Sequence, residues 1–312
     1  DVLINQLDKA LAICGKSHQR IVHITSATDT GPTRSHNEDA CYPVSETVLV
    51  KPTGMEAFAI VCDGIGGQEA GEVASELAIK TLKEQIEKMP LHQANWDPSS
   101  LKTKLERATC TANDVIAQRN DIEHRQGRQR MGTTLVMGLA HIHEIYITHI
   151  GDSRAYWITR QGCYPVTVDD DVASREVHLG YSLYRYALQQ VAAGALVQAL
   201  GITSSSVLHP TVQRIPIDDD CIFLFCSDGL SDRDRIEQCW EQEILPLLTG
   251  EEDLVSVRDR LISIANTRNG HDNVTIALMY FQVTEKEEGS ETELILSPVE
   301  PSQNRTIDEP EF

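Results

Sequence analysis

Basic residues are scarce in this chain. Its 312 residues hold 27 Lys and Arg against 47 Asp and Glu, a formal net charge of −20, and so acidic a chain is repelled by nucleic acid and by anionic membrane surfaces. Long apolar runs are missing as well: nothing approaches the roughly 18 uninterrupted apolar residues of a membrane helix, and the start does not read as a secretory leader. A cytoplasmic location is the expectation. Cys-x-x-Cys is absent too, although there are eight cysteines (Cys14, Cys41, Cys62, Cys110, Cys163, Cys221, Cys226 and Cys239). Several lie inside apolar runs, so they read as free buried thiols in a reducing compartment.

What is present suits one large domain with tails, since 41% of the residues are hydrophobic and the length is ample for a core. The tails differ from the body. Residues 284–312 carry nine acids against Lys286 and Arg305, with three prolines, and read as an acidic disordered tail or linker. Residues 1–20 form an N-terminal extension in which Val2, Leu3, Leu7, Leu11 and Ile13 outline a short amphipathic helix, either a docking helix or the end of an upstream domain. Because the chain opens on Asp1, additional domains in a longer protein are expected. The body is 21–283.

Its organising stretch is 58–67, Phe-Ala-Ile-Val-Cys-Asp-Gly-Ile-Gly-Gly. The apolar half reads as a buried strand that ends on Asp63, and the glycines allow close approach of a ligand or another backbone segment. Other strand-like runs carry acids at their ends in the same way. Residues 145–150 lead to Gly151-Asp152, residues 221–226 lead to Ser227-Asp228-Gly229, and Asp272-Asn273 opens the run 274–281, while Glu38-Asp39 precedes a further short segment. Any one of these reads as an ordinary turn. Together they would crowd carboxylates on one rim if the strands lie side by side, and like charges that close stay ionised only beside cations. Oxygen donors without a His or Cys cluster suit Mg²⁺ or Mn²⁺.

In chain order, Arg34-x-x-x-Glu38-Asp39, Asp63-Gly64-x-Gly66-Gly67, Gly132-Thr133-Thr134, Gly151-Asp152-Ser153-Arg154, Ser227-Asp228-Gly229 and Gly270-x-Asp272-Asn273 resemble the metal-dependent Ser/Thr protein phosphatases, the type 2C or PPM phosphatases. The resemblance spans about residues 24–283, and the compact spacing is most like prokaryotic members. It implies an α+β fold, a central antiparallel β-sandwich flanked by helices on both faces in α-β-β-α layers. The implied activity is hydrolysis of phosphoserine and phosphothreonine in phosphorylated proteins through a water bridging two divalent ions, Mg²⁺ or Mn²⁺, with a weaker third site. A phosphoprotein-binding pseudophosphatase module of a larger signalling protein is the alternative.

The resemblance also assigns residues. Asp63 would bridge the ions; Gly64 would contribute a backbone-carbonyl contact; Asp228 and Asp272 would take the other first-metal positions; Glu38 would hold a metal through water, and Asp39 would brace metal-bound water. Asp152 with Asp228 would form the third site. Arg34 would clamp the substrate phosphate with its planar fork, the residue-level alternative being a surface ion pair. The chain departs from many eukaryotic relatives in carrying Ile65 two positions after Asp63, where a histidine is the proposed general acid. Isoleucine cannot donate a proton, so water or nearby His36 must, and water is the preferred reading.

The remaining body reads as scaffold. Val73, Leu77, Leu82, Ile86 and Met89 predict a helix over 72–89 closed by Pro90, and Asp97-Pro98 opens a second with Leu101, Leu105, Ala108, Ala112 and Val115 as its buried stripe. Residues 21–28 alternate as an edge strand. The arginines of 119–130 read as a solvated helix end and loop. His141 and His143 flank a turn and read as solvent-facing, without the third partner a metal needs. Residues 174–194, with Tyr181, Tyr184, Arg185 and Tyr186, are either a flap suited to a phosphorylated peptide or a packed amphipathic helix.

Overall fold

The computed structural model describes residues 18–52, 57–65, 70–89 and 97–285. Five strands and two helices come first: β1 (His18–Asp29), β2 (Ala40–Tyr42), β3 (Val48–Pro52), β4 (Ala57–Cys62), β5 (Gly64–Ile65), α1 (Ala70–Glu87) and α2 (Pro98–Ile122). Next are β6 (Gly132–Thr133), β7 (Leu135–His141), β8 (Glu144–Ile150), β9 (Arg154–Ile158), β10 (Cys163–Pro165), α3 (Val172–His178) and α4 (Tyr184–Ala187). The last third holds β11 (Thr211–Pro216), β12 (Cys221–Cys226), α5 (Asp228–Ser231), α6 (Arg235–Glu243), α7 (Leu245–Thr249), α8 (Leu254–Ile264) and β13 (Val274–Glu285).

Two antiparallel sheets carry the fold, one in the order β10-β9-β12-β13-β1-β3 and the other β11-β8-β7-β4-β2, with β5 and β6 as a separate pair. Val22, Ile24, Val61, Ile147, Phe223, Phe225, Met279 and Phe281 fill the space between them. On the outer face of the second sheet, Leu82, Ile86, Leu101, Leu105 and Ile116 of α1 and α2 pack on Ile60, Met137 and Tyr146. On the outer face of the first, Ile236, Leu247, Val257 and Leu261 of α6 to α8 pack on Tyr156, Leu224 and Leu278. This is the expected α-β-β-α sandwich. With both faces covered, β4, β7, β8 and β12 are buried at every position, and that is why they read as unbroken apolar runs.

Local signals account for most of the helices. The Asp97 carboxylate accepts from the Ser99 and Ser100 amides with Pro98 in the first turn of α2, and Asp253 caps α8 in the same way. The buried stripes differ in detail from expectation. In α1 the sheet is met by Ala70, Ala74, Ala78, Leu82 and Ile86, four residues apart, while Val73 is exposed; small residues let the helix lie close to β4. In α2 it is Ile116, not Val115, that is buried. A further correction concerns 21–28: β1 lies between β13 and β3, so it is an interior strand, and the short β3 forms the edge. Its register against β13 runs from His18 opposite Glu285 to Asp29 opposite Val274, so the sheet takes in residues beyond both ends of 21–283.

The seven cysteines among the described residues are free thiols. Among those residues no helix is long and apolar enough to cross a membrane. The N-terminal helix expected before Gly15, the glycines Gly66 and Gly67, Pro90 and the acidic tail from 286 lie outside the described residues.

Candidate active site

The strands deliver the acidic residues to one rim. Asp63 follows β4, Asp152 follows β8 after one glycine, Asp228 follows β12 after Ser227, and Asp272-Asn273 precede β13. Antiparallel pairing then aligns these ends: Ala40 sits opposite Cys62, Cys226 opposite Ile276, and Asp29 opposite Val274. Glu38 and Asp39, just before β2, therefore come alongside Asp63. Six carboxylates spread over more than 230 residues of sequence meet at one end of the sandwich.

Their crowding is visible in their acidity. Burial pushes Asp39 up to about 7, and the charges of Asp228 and Asp272 add to it against hydroxyl bonds from Ser227 and Thr275. Asp152 is likewise raised to about 7 by burial, then by Asp228 and Asp169. Asp228 is raised to about 6 by burial, then by Asp232 and Asp272. Asp63 lies well above the ordinary range, through burial and then the charges of Asp39, Asp228, Asp152 and Asp272. Glu38 is raised by burial, although Gly71 donates its amide to the carboxylate. The group is frustrated as it stands.

Neutral side chains fix this rim. The Thr134 hydroxyl accepts from the Asp63 amide at 3.0 Å, the Thr133 hydroxyl donates to the Asp63 carbonyl at 2.9 Å, and the Thr134 amide reaches the same carbonyl at 2.9 Å. Behind them Thr134 and Ser153 share a hydroxyl bond of 2.7 Å. The Ser227 hydroxyl donates to Asp39 at 2.8 Å and accepts from the Thr275 amide at 2.9 Å. Asn273 pins the loop between β1 and β2 at three points: its carbonyl oxygen accepts from the Glu38 amide, and its amide group donates to the Thr30 and His36 carbonyls, all within 2.9 Å. Gly64 has no room for a side chain, since a Cβ there would lie 2.4 Å from the carbonyl oxygens of Glu38 and Gly71.

Sequence reading missed several of these. Ser227 and Asn273 were read only as motif neighbours of aspartates, and Ser75, whose hydroxyl donates to the Glu38 carbonyl at 2.7 Å, carried no signal beyond its place on a helix. His271 carries no signal in the sequence, yet it is bonded at 3.0 Å to Asp232, whose charge reaches Asp228. Arg34 is half exposed and donates to Asp272 at 2.6 Å. Ile65 pairs with Gly132 in the β5-β6 ladder. His36 is exposed, with its carbonyl held by Asn273.

The expectation for His141 and His143 is overturned. Both are buried, 3% and 7% exposed, at the far end of the β7-β8 hairpin from the rim. There Ile142, with φ 55°, takes the outward turn position, and Glu144 is bonded by Tyr146 at 2.8 Å, paired with Arg214 and approached by His143 at 3.3 Å. The arginines of 119–130 do sit at a helix end: Arg119 and Arg125 pair with Glu123, and Arg130 pairs with Asp121.

The donor set suits a hard divalent ion. The carboxylates gathered at the rim offer only oxygen, and the buried Asp228 Oδ1 has no hydrogen-bond partner among the described residues. Among those residues no three Asp, Glu, His or Cys side chains surround a single point.

Comparison with known proteins decides the family. The model of the family described as protein phosphatase 2C matches residues 33–274. The chain belongs to that family. A serine/threonine phosphatase, stp, of Listeria monocytogenes serotype 4b is 27% identical over 265 residues, covering 85% of this chain and 98% of its own. The crystal structure of the Mycobacterium tuberculosis serine/threonine phosphatase PstP/Ppp superposes with a TM-score of 0.67 at 26% identity, covering 84% of this chain and 99% of the other. A structure of the PstP catalytic domain in complex with two manganese ions superposes with a TM-score of 0.64 at 26% identity, with the same coverage. The protein phosphatase 2C fold, its Ser/Thr phosphatase character and its dependence on divalent metal thus apply to this chain.

Proposed function

We propose that this chain releases phosphate from phosphoserine and phosphothreonine of phosphorylated proteins with the help of two divalent ions held at the Asp63 rim. The crowding of Asp39, Asp63, Asp152, Asp228 and Asp272 carries this reading, because carboxylates that raise one another's pKa are matched by cations and by little else. Asp63, the Gly64 carbonyl, Asp228, Asp272 and Glu38 would hold the two ions, and Asp39 would brace the water around them. Asp152 and Asp228 would form a weaker third position. Bound divalent ions would supply a nucleophilic oxygen at neutral pH and offset charge on the phosphoryl oxygens. The PstP complex with two manganese ions supports that number and Mn²⁺, and the oxygen donors accept Mg²⁺ equally.

Arg34 would take two phosphate oxygens in its fork, exchanging its bond to Asp272 for the substrate. Thr133, Thr134 and Ser153 hold the Asp63 peptide so that its carboxylate cannot swing away as charge is neutralised. No side chain at position 65 can protonate the leaving alkoxide, so that proton comes from water. Nothing favours the pseudophosphatase alternative, since none of the expected carboxylates is replaced. We place the catalytic unit in the sandwich body, the tails outside it, and the protein in the cytoplasm on account of its free thiols.

The test is release of phosphate from p-nitrophenyl phosphate and from a phosphothreonine peptide, with and without Mn²⁺. Turnover that needs the metal and vanishes in Asp63→Ala and Asp228→Ala supports the reading. Undiminished turnover in either variant, or in chelator, would refute it.

A further inference from the structure

Next to the rim lies a recess of about 270 Å³ whose walls include Arg154, Asp169, Ser174, Tyr184, Asp234 and Glu237. We propose that this recess receives the side chain of a lysine or arginine close to the phosphorylated residue of the substrate, and so sets sequence preference. The proposal rests on the phosphatase reading above and adds to it the class of peptide preferred.

Location is the first argument. Arg154 is two residues from Asp152, and Asp234 is two residues from Asp232, whose charge is felt by Asp228; two residues span at most about 7 Å. An extended peptide advances roughly 3.4 Å per residue, so a phosphoresidue at the rim places its neighbours one to three positions away over the recess.

Charge is the second. Arg154 and Asp169 cancel, because the guanidinium holds the carboxylate with bonds of 2.9 Å from Nε and 2.7 Å from Nη2. Asp234 and Glu237 are exposed and form no ion pair among the described residues. The recess therefore carries surplus negative charge, which repels a phosphate and attracts a cation. The charges of Asp234, Asp169 and Asp171 are among those that reach the Tyr184 hydroxyl.

Shape and surface are the third. The recess is smaller than the roughly 300–1,000 Å³ of sites that enclose a whole small ligand, so one side chain is its natural occupant. Tyr184, 55% exposed, and Val168, 70% exposed, give it an aromatic and an aliphatic wall. Such walls suit the methylene stem of Lys or Arg, with the ring also available to the cation. Tyr184 belongs to α4 within the expected flap, whose cover of Tyr181, Leu183 and Tyr186 is equally exposed.

The experiment uses phosphothreonine peptides in which a single Lys, Ala or Glu is placed at each of three positions on either side of the phosphoresidue. Each is assayed with Mn²⁺ beside p-nitrophenyl phosphate, which reaches only the rim. The expected result is one or two positions where kcat/KM ranks Lys above Ala above Glu, by about three- to tenfold overall for a pair of partly exposed charge contacts, and where the ranking fades as salt is raised. Asp234→Asn with Glu237→Gln should flatten it and leave p-nitrophenyl phosphate turnover unchanged. Asparagine tolerates the left-handed backbone of Asp234, φ 54°. Glu237→Lys should reverse the ranking at the same position. A flat profile in the unaltered protein, or a ranking that survives the paired substitution, overturns the proposal while p-nitrophenyl phosphate turnover leaves the phosphatase reading standing. Failure of the unaltered protein on p-nitrophenyl phosphate and on every peptide would sink that reading and this proposal with it.

Discussion

The Arg34 guanidinium and the Asp272 carboxylate, 238 positions apart in sequence, are joined by a 2.6 Å hydrogen bond. The group suited to bind phosphate thus neutralises one of the groups suited to bind metal, and each has to be released for the other task. Arg34→Ala should lower kcat/KM on a phosphopeptide about 10- to 100-fold, the equivalent of a charge-assisted bond of ~1.5–3 kcal/mol. Arg34→Lys should recover part of this, since it keeps the charge and loses the fork. With Arg34 48% exposed, melting temperature should barely change. Steady-state kinetics beside thermal melts would separate the two effects, and a stability loss as large as the kinetic loss would argue for a merely structural arginine.

Asp63 gives the opposite kind of prediction. Burial and four neighbouring carboxylates raise its pKa far above that of an unfolded chain. A carboxyl whose folded pKa is raised stabilises the fold at low pH, and that stability is lost as pH climbs through the folded value. Together with Asp228, raised to about 6, and Asp39 and Asp152, both raised to about 7, it should make the metal-free protein lose stability between about pH 4 and 7. Asp63→Asn removes one of these charges. In chelator at pH 7.5 or thereabouts, the variant should melt higher than the parent, by about 2–4 °C for each kcal/mol of relieved repulsion. Added Mn²⁺ should raise the parent's melting point and do little for the variant. A variant that melts lower without metal would show that the crowding is not costly.

Much of this site was legible because carboxylates at strand ends leave a strong local pattern. The 58–63 and 221–228 runs announce both a buried strand and the acid that follows it. What was not legible depends on partners far away in sequence. His143 lies beside Glu144, which pairs with Arg214 of β11, 70 residues on, and the His143 carbonyl accepts from the Ile217 amide, while the local turn looks solvent-facing. The interior position of β1 depends on β3, whose five residues give too short a pattern to announce a pairing partner. Ser227, Thr134 and Asn273 were hidden for another reason: hydroxyls and amides near turns are ordinary, and only the tertiary arrangement shows that Ser227 serves the Asp39 carboxylate, Thr134 the Asp63 peptide and Asn273 the Glu38 amide.

Gly64 tests how tightly the rim is built. A methyl group there would meet two backbone carbonyl oxygens at 2.4 Å, those of Glu38 and Gly71, and backbone cannot turn aside as a flexible side chain can. Gly64→Ala should destabilise the fold by about 1–3 kcal/mol and should lower Mn²⁺ affinity as well, because Glu38 is displaced from Asp63. Calorimetric titration of Mn²⁺ into folded variant is the measurement. Unchanged affinity and stability together would mean that the neighbouring segments yield freely.

At the opposite end of the sandwich the sign of the pH response reverses. Burial alone would raise Glu144, but His143 at 3.3 Å and hydrogen bonds from Arg214 and Tyr146 outweigh it and hold the carboxyl at about 2, against 4.5 for a free glutamate. A depressed folded pKa means stability that is present in full above about 4.5 and is lost as pH falls through 2. At ~1.4 kcal/mol per unit, the interaction contributes about 3 kcal/mol at neutral pH, as an upper figure. Glu144→Gln should therefore weaken the protein near pH 7 by up to that amount, and the gap between variant and parent should close as pH falls from about 4.5 towards 2. Because every other titrating group is shared by variant and parent, the difference between the two unfolding curves isolates Glu144. Turnover by the folded variant should match the parent, since β7, β8 and β11 keep Thr134, Asp152 and the rim at their other ends. A gap that stays constant down to pH 2 would show that Glu144 contributes packing and not charge.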